Sequence, residues 1–316
     1  MSDENAFKDK NIRLNDVVKC FQDLPTNGEL FTLKVEELPK MPFEPCHIQG
    51  FTKIKDTFIL SHSGHLSRGL FYIGKEDQKL VMSKTPYENF NHPGGMQCIG
   101  DYFLCGIEKG GDQSGKDSYI SLFLFDSMTN SAKHINKFDI HRDKGSMGVG
   151  ITNYIVKNEN YYLIAVSVNN FSIDFYRAKS EILESAKFEK IFTSSYKHWG
   201  DDGAYQSIAL LTDKTEKVYM VGFRAQPSSL TYEDWLDLYH VDIDKKELNL
   251  VKQKIGNEEG RKHLYTKHSH NLMPSIGVHF RYGAGIQIFS EDKIKIYATE
   301  RNIQSDKMEV NVFKKK

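Results

Sequence analysis

Two histidines, His47 and His92, stand at the same place in two copies of a short motif. Each lies three residues before a glycine, Gly50 or Gly95, inside a strand-like segment. Imidazoles gathered in this way can move protons near neutral pH or, with a carboxylate, hold a transition metal. Glu108 ends the segment Tyr102-Phe-Leu-Cys-Gly-Ile-Glu, and His62 ends the equivalent segment after His47. A strand returning from each motif would bring both of these side chains to the same place. The competing reading is that each histidine caps its own loop through a backbone hydrogen bond. With no compact ligand spacing, no metal is assigned and the cofactor stays unknown.

A second group surrounds the string Trp199-Gly-Asp-Asp-Gly-Ala-Tyr-Gln. A large aromatic beside Asp201 and Asp202 suits a sugar or another flat polar ligand. The same string also reads as a tight Asp-Asp-Gly turn with Trp199 packed between elements. The catalytic candidates are His92, Glu108 and Asp201. The ligand-binding candidates are His47, Gln49, Trp199, Asp202, Tyr205, Gln206, Arg281, Tyr282, Glu300 and Arg301. Glycoside hydrolysis needs two carboxyl groups flanking the scissile bond, for which Glu108, Glu300, Asp201 and Asp202 are available. None of the glycine-marked segments begins with an acid, and Glu300 with Arg301 also reads as an ion pair at a strand end. Nucleophilic triads fare worse: there is no G-x-S-x-G string, and Ser61-His62-Ser63 is an adjacent trio. The loop from Gly106 to Lys116 lacks the spacing and following helix of a phosphate loop.

These residues converge only if the chain repeats. Five segments align, with Gly50, Gly95, Gly150, Gln206 and Gly285 as their fourth residues, at successive spacings of 45, 55, 56 and 79. Familiar four-stranded propeller blades take ~40–50 residues, so the last spacing must hold an insertion, read between Gly256 and His279. An apolar second strand follows each segment, then an aromatic-rich third. Fourth strands follow the first four repeats, near Lys79, Lys133, Phe188 and Leu248. The fifth repeat ends after its third strand, while Glu29-Leu-Phe-Thr-Leu-Lys-Val upstream has no repeat of its own. Placing that strand outermost in the last blade closes the ring. The expected fold is therefore all-β, a five-bladed β-propeller closed by an N-terminal strand. Residues 1–28 form an N-terminal extension in which Leu14, Val17, Val18 and Phe21 have the spacing of a short helix, and residues 29–316 the propeller. Loops into the innermost strands and loops leaving the second strands then gather on one face.

Composition bounds the partners. Among 316 residues, 42 basic side chains balance 42 acidic ones, so net attraction to nucleic acid or anionic membrane is not expected. No apolar run approaches the ~18 residues of a membrane span, and Met1 to Lys8 carries no secretory h-region. Cys20, Cys46, Cys98 and Cys105 contain no C-x-x-C pair and read as free thiols, with a disulfide as the alternative. A cytoplasmic protein, or one delivered from the cytoplasm without a classical signal peptide, is expected.

The strings His92-Pro-Gly-Gly-Met-Gln-Cys-Ile, Gly148-Val-Gly-Ile-Thr-Asn, Trp235-Leu-Asp-Leu-Tyr and Ala298-Thr-Glu-Arg resemble an uncharacterised group of bacterial five-bladed propeller-like proteins, over residues 45 to 300. The resemblance implies the fold and no established activity, so it transfers no catalytic residue. The functional expectation is a binding or interaction module whose polar, aromatic-lined channel mouth takes a small polar ligand, a glycan or a protein partner. The alternative is a hydrolase or lyase at the same site, glycan-directed or metal-assisted.

Overall fold

The computed structural model describes residues 9–36, 47–64, 67–110, 115–168, 171–196, 204–227, 232–267, 277–303 and 306–315, without the side chains of Pro227 and Tyr282. After α1 (Val17–Gln22) and β1 (Glu29–Val35), the strands fall into five groups. The first blade is β2 (Ile48–Ile54), β3 (Thr57–His62), β4 (Leu70–Lys75) and β5 (Lys79–Lys84). The second is β6 (His92–Ile99), β7 (Tyr102–Glu108) and β8 (Ser118–Asp126), with β9 (Ser131–His134) and β10 (Ile140–Arg142) both paired to β8. The third is β11 (Gly148–Val156), β12 (Glu159–Val168), β13 (Ser172–Lys179) and β14 (Glu189–Ser195). In the fourth, β15 (Ser207–Thr212), β16 (Val218–Pro227) and β17 (Tyr232–Asp242) are followed by β18 (Glu247–Leu250) and β19 (Arg261–Leu264), which share β17. The fifth is β20 (Val278–Ser290), β21 (Lys293–Glu300) and β22 (Lys307–Lys314).

Within each blade successive strands pair antiparallel, except that β10 and β19 return to the third strand of their blade, and hairpin geometry supports this locally. Lys157 and Asn158 both have positive φ between Val156 and its partner Glu159, the backbone of a primed two-residue turn. The innermost strands contact one another in the cyclic order β2, β6, β11, β15, β20 and back to β2. That order is a closed ring of five blades. β1 pairs antiparallel with β22 and parallel with β5, so it completes the fifth blade and ties it to the first. The core lies between blades, in apolar clusters such as the one joining Leu33, Phe51, Phe58, Tyr72, Tyr297 and Val310.

The glycines explain how tightly the ring closes. A Cβ on Gly95 would lie 2.4 Å from the Gln206 carbonyl oxygen, which belongs two blades away. A Cβ on Gly285 would lie 2.1 Å from the Phe51 carbonyl oxygen. Backbone-to-backbone approach of this kind requires the absence of a side chain. Gln97 fills the axis beyond Gly95. It donates to the Leu210 carbonyl and accepts from Ile151 and Leu210 N–H, each at 2.8 Å, so one side chain links three blades.

Some expectations need correction. The innermost strand of the fourth blade begins at Ser207, after the aligned Gln206 rather than around it, and β10 was not foreseen. Leu183–Ser185, between β13 and β14, forms a single 3-10 turn. Cys20, Cys98 and Cys105 are free thiols, and Cys46 lies outside the described residues.

Candidate functional site

The ladders place the starts of the innermost strands beside the ends of the second strands, on one face of the ring. Ile48 is opposite His62, His92 opposite Glu108, Val278 opposite Glu300 and Ser207 opposite Phe223. This face is the mouth at which the candidate residues are expected, whereas a cavity lined by Lys53, Gln97, Asp101 and Gln287 lies at the opposite ends of the innermost strands.

At the first and second blades, the His47 and His92 rings lie edge to face with centroids 6.2 Å apart. Gln49, buried at 2% exposure, inserts its side-chain amide nitrogen between them, 2.6 Å from His47 Nε2 and 2.8 Å from His92 Nε2. An amide nitrogen carries two hydrogens, one for each ring. Both imidazoles then accept at Nε2 and hold their proton at Nδ1. The His92 Nδ1 hydrogen faces Glu108, whose Oε2 is 3.7 Å away. Glu108 is itself buried, and its Oε1 accepts the Ser146 backbone N–H. Ser146 is fixed in turn by the Ser118 hydroxyl, 2.8 Å away, which also donates to the Lys144 carbonyl. Ser146 thus fixes Glu108 beside His92, but at 3.7 Å the carboxyl stops short of a hydrogen bond to Nδ1, which has no hydrogen-bond partner among the described residues. His47 is held by its backbone: its N–H donates to Ser63 Oγ at 2.8 Å and its carbonyl accepts from Ser63 N–H. His62 is buried, with its ring against Tyr72.

The two Nε2 atoms converge on an amide N–H pair rather than on an open coordination position. Among the described residues no group of three or more His, Cys, Asp or Glu is placed to hold a metal ion.

The remaining candidates divide. Tyr205 does not line the mouth. It is 1% exposed, stacks on Tyr196 at 4.3 Å, and donates its hydroxyl to Asp237 at 2.7 Å. Gly222 makes this possible, since a Cβ there would meet the Tyr205 ring. Gln206 is half-buried, and its carbonyl lies against Gly95 and Gly148. Glu300 is buried at 5% exposure and accepts the Glu309 N–H at 2.7 Å; burial pushes its carboxyl up to about 7. Arg301 offers its carbonyl to Ile48 N–H, a backbone role at the junction of the fifth and first blades. Arg281 is exposed and donates to the Tyr232 hydroxyl at 2.8 Å. Trp199, Asp201, Asp202 and the side chain of Tyr282 lie outside the described residues.

The sequence reading missed Ser146 and Asp234. Asp234 sits 3.1 Å from His279 Nδ1, accepts the Phe280 N–H and takes a hydrogen bond from Thr266. Ser146 directly precedes the third glycine-led segment, a position equivalent to the loops that carry His47 and His92. Asp234 gave no such signal, because its partner is 45 residues away.

Neither the scan of family models nor the search of curated proteins finds a match to this chain. Solved structures give distant likenesses. A thermostable family-43 glycoside hydrolase aligns over 85% of this chain and 89% of its own, at 12% identity and TM-score 0.41. An α-L-arabinofuranosidase from Podospora anserina aligns over 93% and 99%, at 8% identity and TM-score 0.47. A GDP-Man-dependent mannosyltransferase from Leishmania mexicana aligns over 91% and 90%, at 10% identity and TM-score 0.45. At these scores the likeness is one of general shape, and no residue or activity is transferred from it.

Proposed function

We propose that the channel mouth binds a small polar, hydroxyl-bearing ligand through His47 and His92, with Gln49 and Glu108 fixing where their protons lie. The observation that carries this reading is the Gln49 amide held between two Nε2 atoms above a buried carboxyl group. Prearranged donors and acceptors on a rigid ring suit recognition of hydroxyl groups, because little ordering remains to be done on binding. Trp199 and the Asp201/Asp202 pair belong to this reading as sequence-based candidates. A panel of neutral and charged mono- and oligosaccharides, read by thermal shift and calorimetry, tests it. One ligand class should stabilise the folded protein, and His92→Ala or Gln49→Ala should weaken that binding at least tenfold. A folded wild-type protein silent across the panel would overturn the reading.

A second reading, a hydrolase or lyase acting on a hydroxylated substrate at the same place, draws support from the orientation of His92. With a buried carboxyl 3.7 Å from Nδ1, Nε2 is the basic nitrogen, and it reaches a substrate only when the Gln49 amide moves off it. The described carboxyl groups give a two-carboxylate mechanism less support. Glu108 is engaged by Ser146, and Glu300 by the Glu309 N–H. Turnover of a bound ligand, lost in both His92→Ala and Glu108→Gln with binding retained, would select this reading over binding alone.

A further inference from the structure

Next to the mouth, one carboxyl group is surrounded by more positive charge than it can use. Asp174, on β13, is fully buried. Its Oδ2 accepts from Arg142 Nη2 at 3.0 Å and Lys144 Nζ at 2.5 Å, and its Oδ1 from Lys190 Nζ at 2.8 Å and Thr193 Oγ1 at 2.6 Å. Burial pushes the Asp174 carboxyl up, but hydrogen bonds from Lys144, Lys190 and Thr193 and the charge of Arg142 outweigh it. The group is held far below the ordinary carboxylate range.

Arg142 alone completes the buried ion pair. Its side chain is 1% exposed, and it also donates to the Tyr176 hydroxyl at 2.8 Å and the Gly145 carbonyl at 3.0 Å. The two lysines are different. Their side chains are 37% and 40% exposed, and they crowd a carboxylate that is already neutralised. A half-exposed lysine pair contributes ~0–1 kcal/mol to stability, and holding two ammonium groups on one carboxylate adds repulsion and lost side-chain freedom. Stability does not explain the second and third cations. Three cations held beside a single acid, two of them reaching solvent, have the composition of an anion clamp.

We propose that Lys144 and Lys190, set over the buried Arg142–Asp174 pair, form an oxyanion-binding site for a phosphoryl or sulfate group, either free or carried on a larger ligand. A dianion lying across the two ammonium groups relieves their repulsion without displacing Asp174. The site adjoins the mouth through the loop from Asp143 to Met147: Lys144 and Ser146 share the Ser118 hydroxyl, and Ser146 donates to Glu108. It does not depend on what the histidines bind.

The test is thermal unfolding in inorganic phosphate, inorganic sulfate and a hexose 6-phosphate, each against sodium chloride at matched ionic strength. Oxyanions should raise the midpoint saturably, following mass action, where chloride does not. The response should vanish in Lys144→Gln/Lys190→Gln, a double variant that retains the Arg142–Asp174 pair. His92→Ala should leave the inorganic phosphate response unchanged. If it cancels only the extra stabilisation by the hexose phosphate, the anion belongs to a larger ligand; equal responses to both phosphates indicate a free oxyanion. A wild-type response no greater than that to chloride, or a double variant that responds like the wild type, would overturn the proposal.

Discussion

Glu300 shows how far a single side chain can depart from what its position suggests. As an acid beside an arginine at a strand end, it reads as half of a surface ion pair or as one of two catalytic carboxyls. The folded chain instead buries it against the Glu309 N–H, and burial lifts its pKa from 4.5 to about 7. Below pH 4.5 both folded and unfolded chains keep the proton. Between 4.5 and 7 the unfolded chain releases it while the folded one retains it, so stability falls as pH rises and the loss is complete above 7. The scale is up to ~3 kcal/mol, at 1.36 kcal/mol per pKa unit. Glu300→Gln removes this titration and can still accept from Glu309. Urea unfolding should therefore find the variant close to wild type at pH 4.5 and more stable at pH 8; an equal gap at both would refute the assignment. Tyr205 carries the same lesson. Its neighbours Tyr196, Gly222 and Asp237 come from one loop and two strands, so nothing local to Tyr205 announces a core position. The pairing of His47 with His92 was legible, because both occupy one position of one repeat.

Elements were read well where repetition supplied the signal and poorly where it did not. The four innermost strands marked by Gly50, Gly95, Gly150 and Gly285 stand where the repeat places them, since close backbone approach at the axis leaves a glycine mark that recurs, while β15, aligned on Gln206, begins one residue later. β10 and β19 were harder, as each is short and pairs with the third strand of its blade beside another partner. The helix α1 was visible in the spacing of Leu14, Val17, Val18 and Phe21, but its anchor was not. Lys262, on β19 and 4% exposed, donates to the carbonyls of Phe21, Gln22 and Leu24 at 2.9, 3.0 and 2.6 Å. Three donors meet three acceptors at the end of the helix, where carbonyls have no helical partner. Burial lowers the Lys262 pKa to about 8, a sign of what enclosing this ammonium costs. Lys262→Met keeps the stem and strips the donors, which should cost about 2–4 kcal/mol. Hydrogen exchange at Cys20 and Asp23, whose N–H groups close the helix, should accelerate before that of the blades. Unchanged exchange there would show that apolar packing of Val17, Cys20 and Phe21 suffices to dock α1.

A ring of blades has one joint that differs from the others, the place where the first and last blades meet. Here that joint is β1. It carries no repeat of its own, yet six of its residues pair with β22 and two with β5, so a single strand serves the fifth blade and the first together. Leu33 is the inward-facing fifth residue of this strand. It is fully buried opposite Met308, in a cluster that includes Leu80 of the first blade and Val310 of the fifth. If β1 acts as a latch, weakening it should not loosen the molecule evenly. Leu33→Ala removes buried volume worth ~2–5 kcal/mol. It should raise hydrogen exchange in β5 and β22 together, while β12 and β13 of the third blade keep their protection until global unfolding. Ligand binding at the mouth should then weaken as well, because the Ile48 N–H reaches across the same joint to the Arg301 carbonyl beside His47. A loss of protection spread uniformly over all five blades would mean instead that the ring unfolds as one unit. In that case β1 is one core strand among many, and the joint confers no separate control over the mouth.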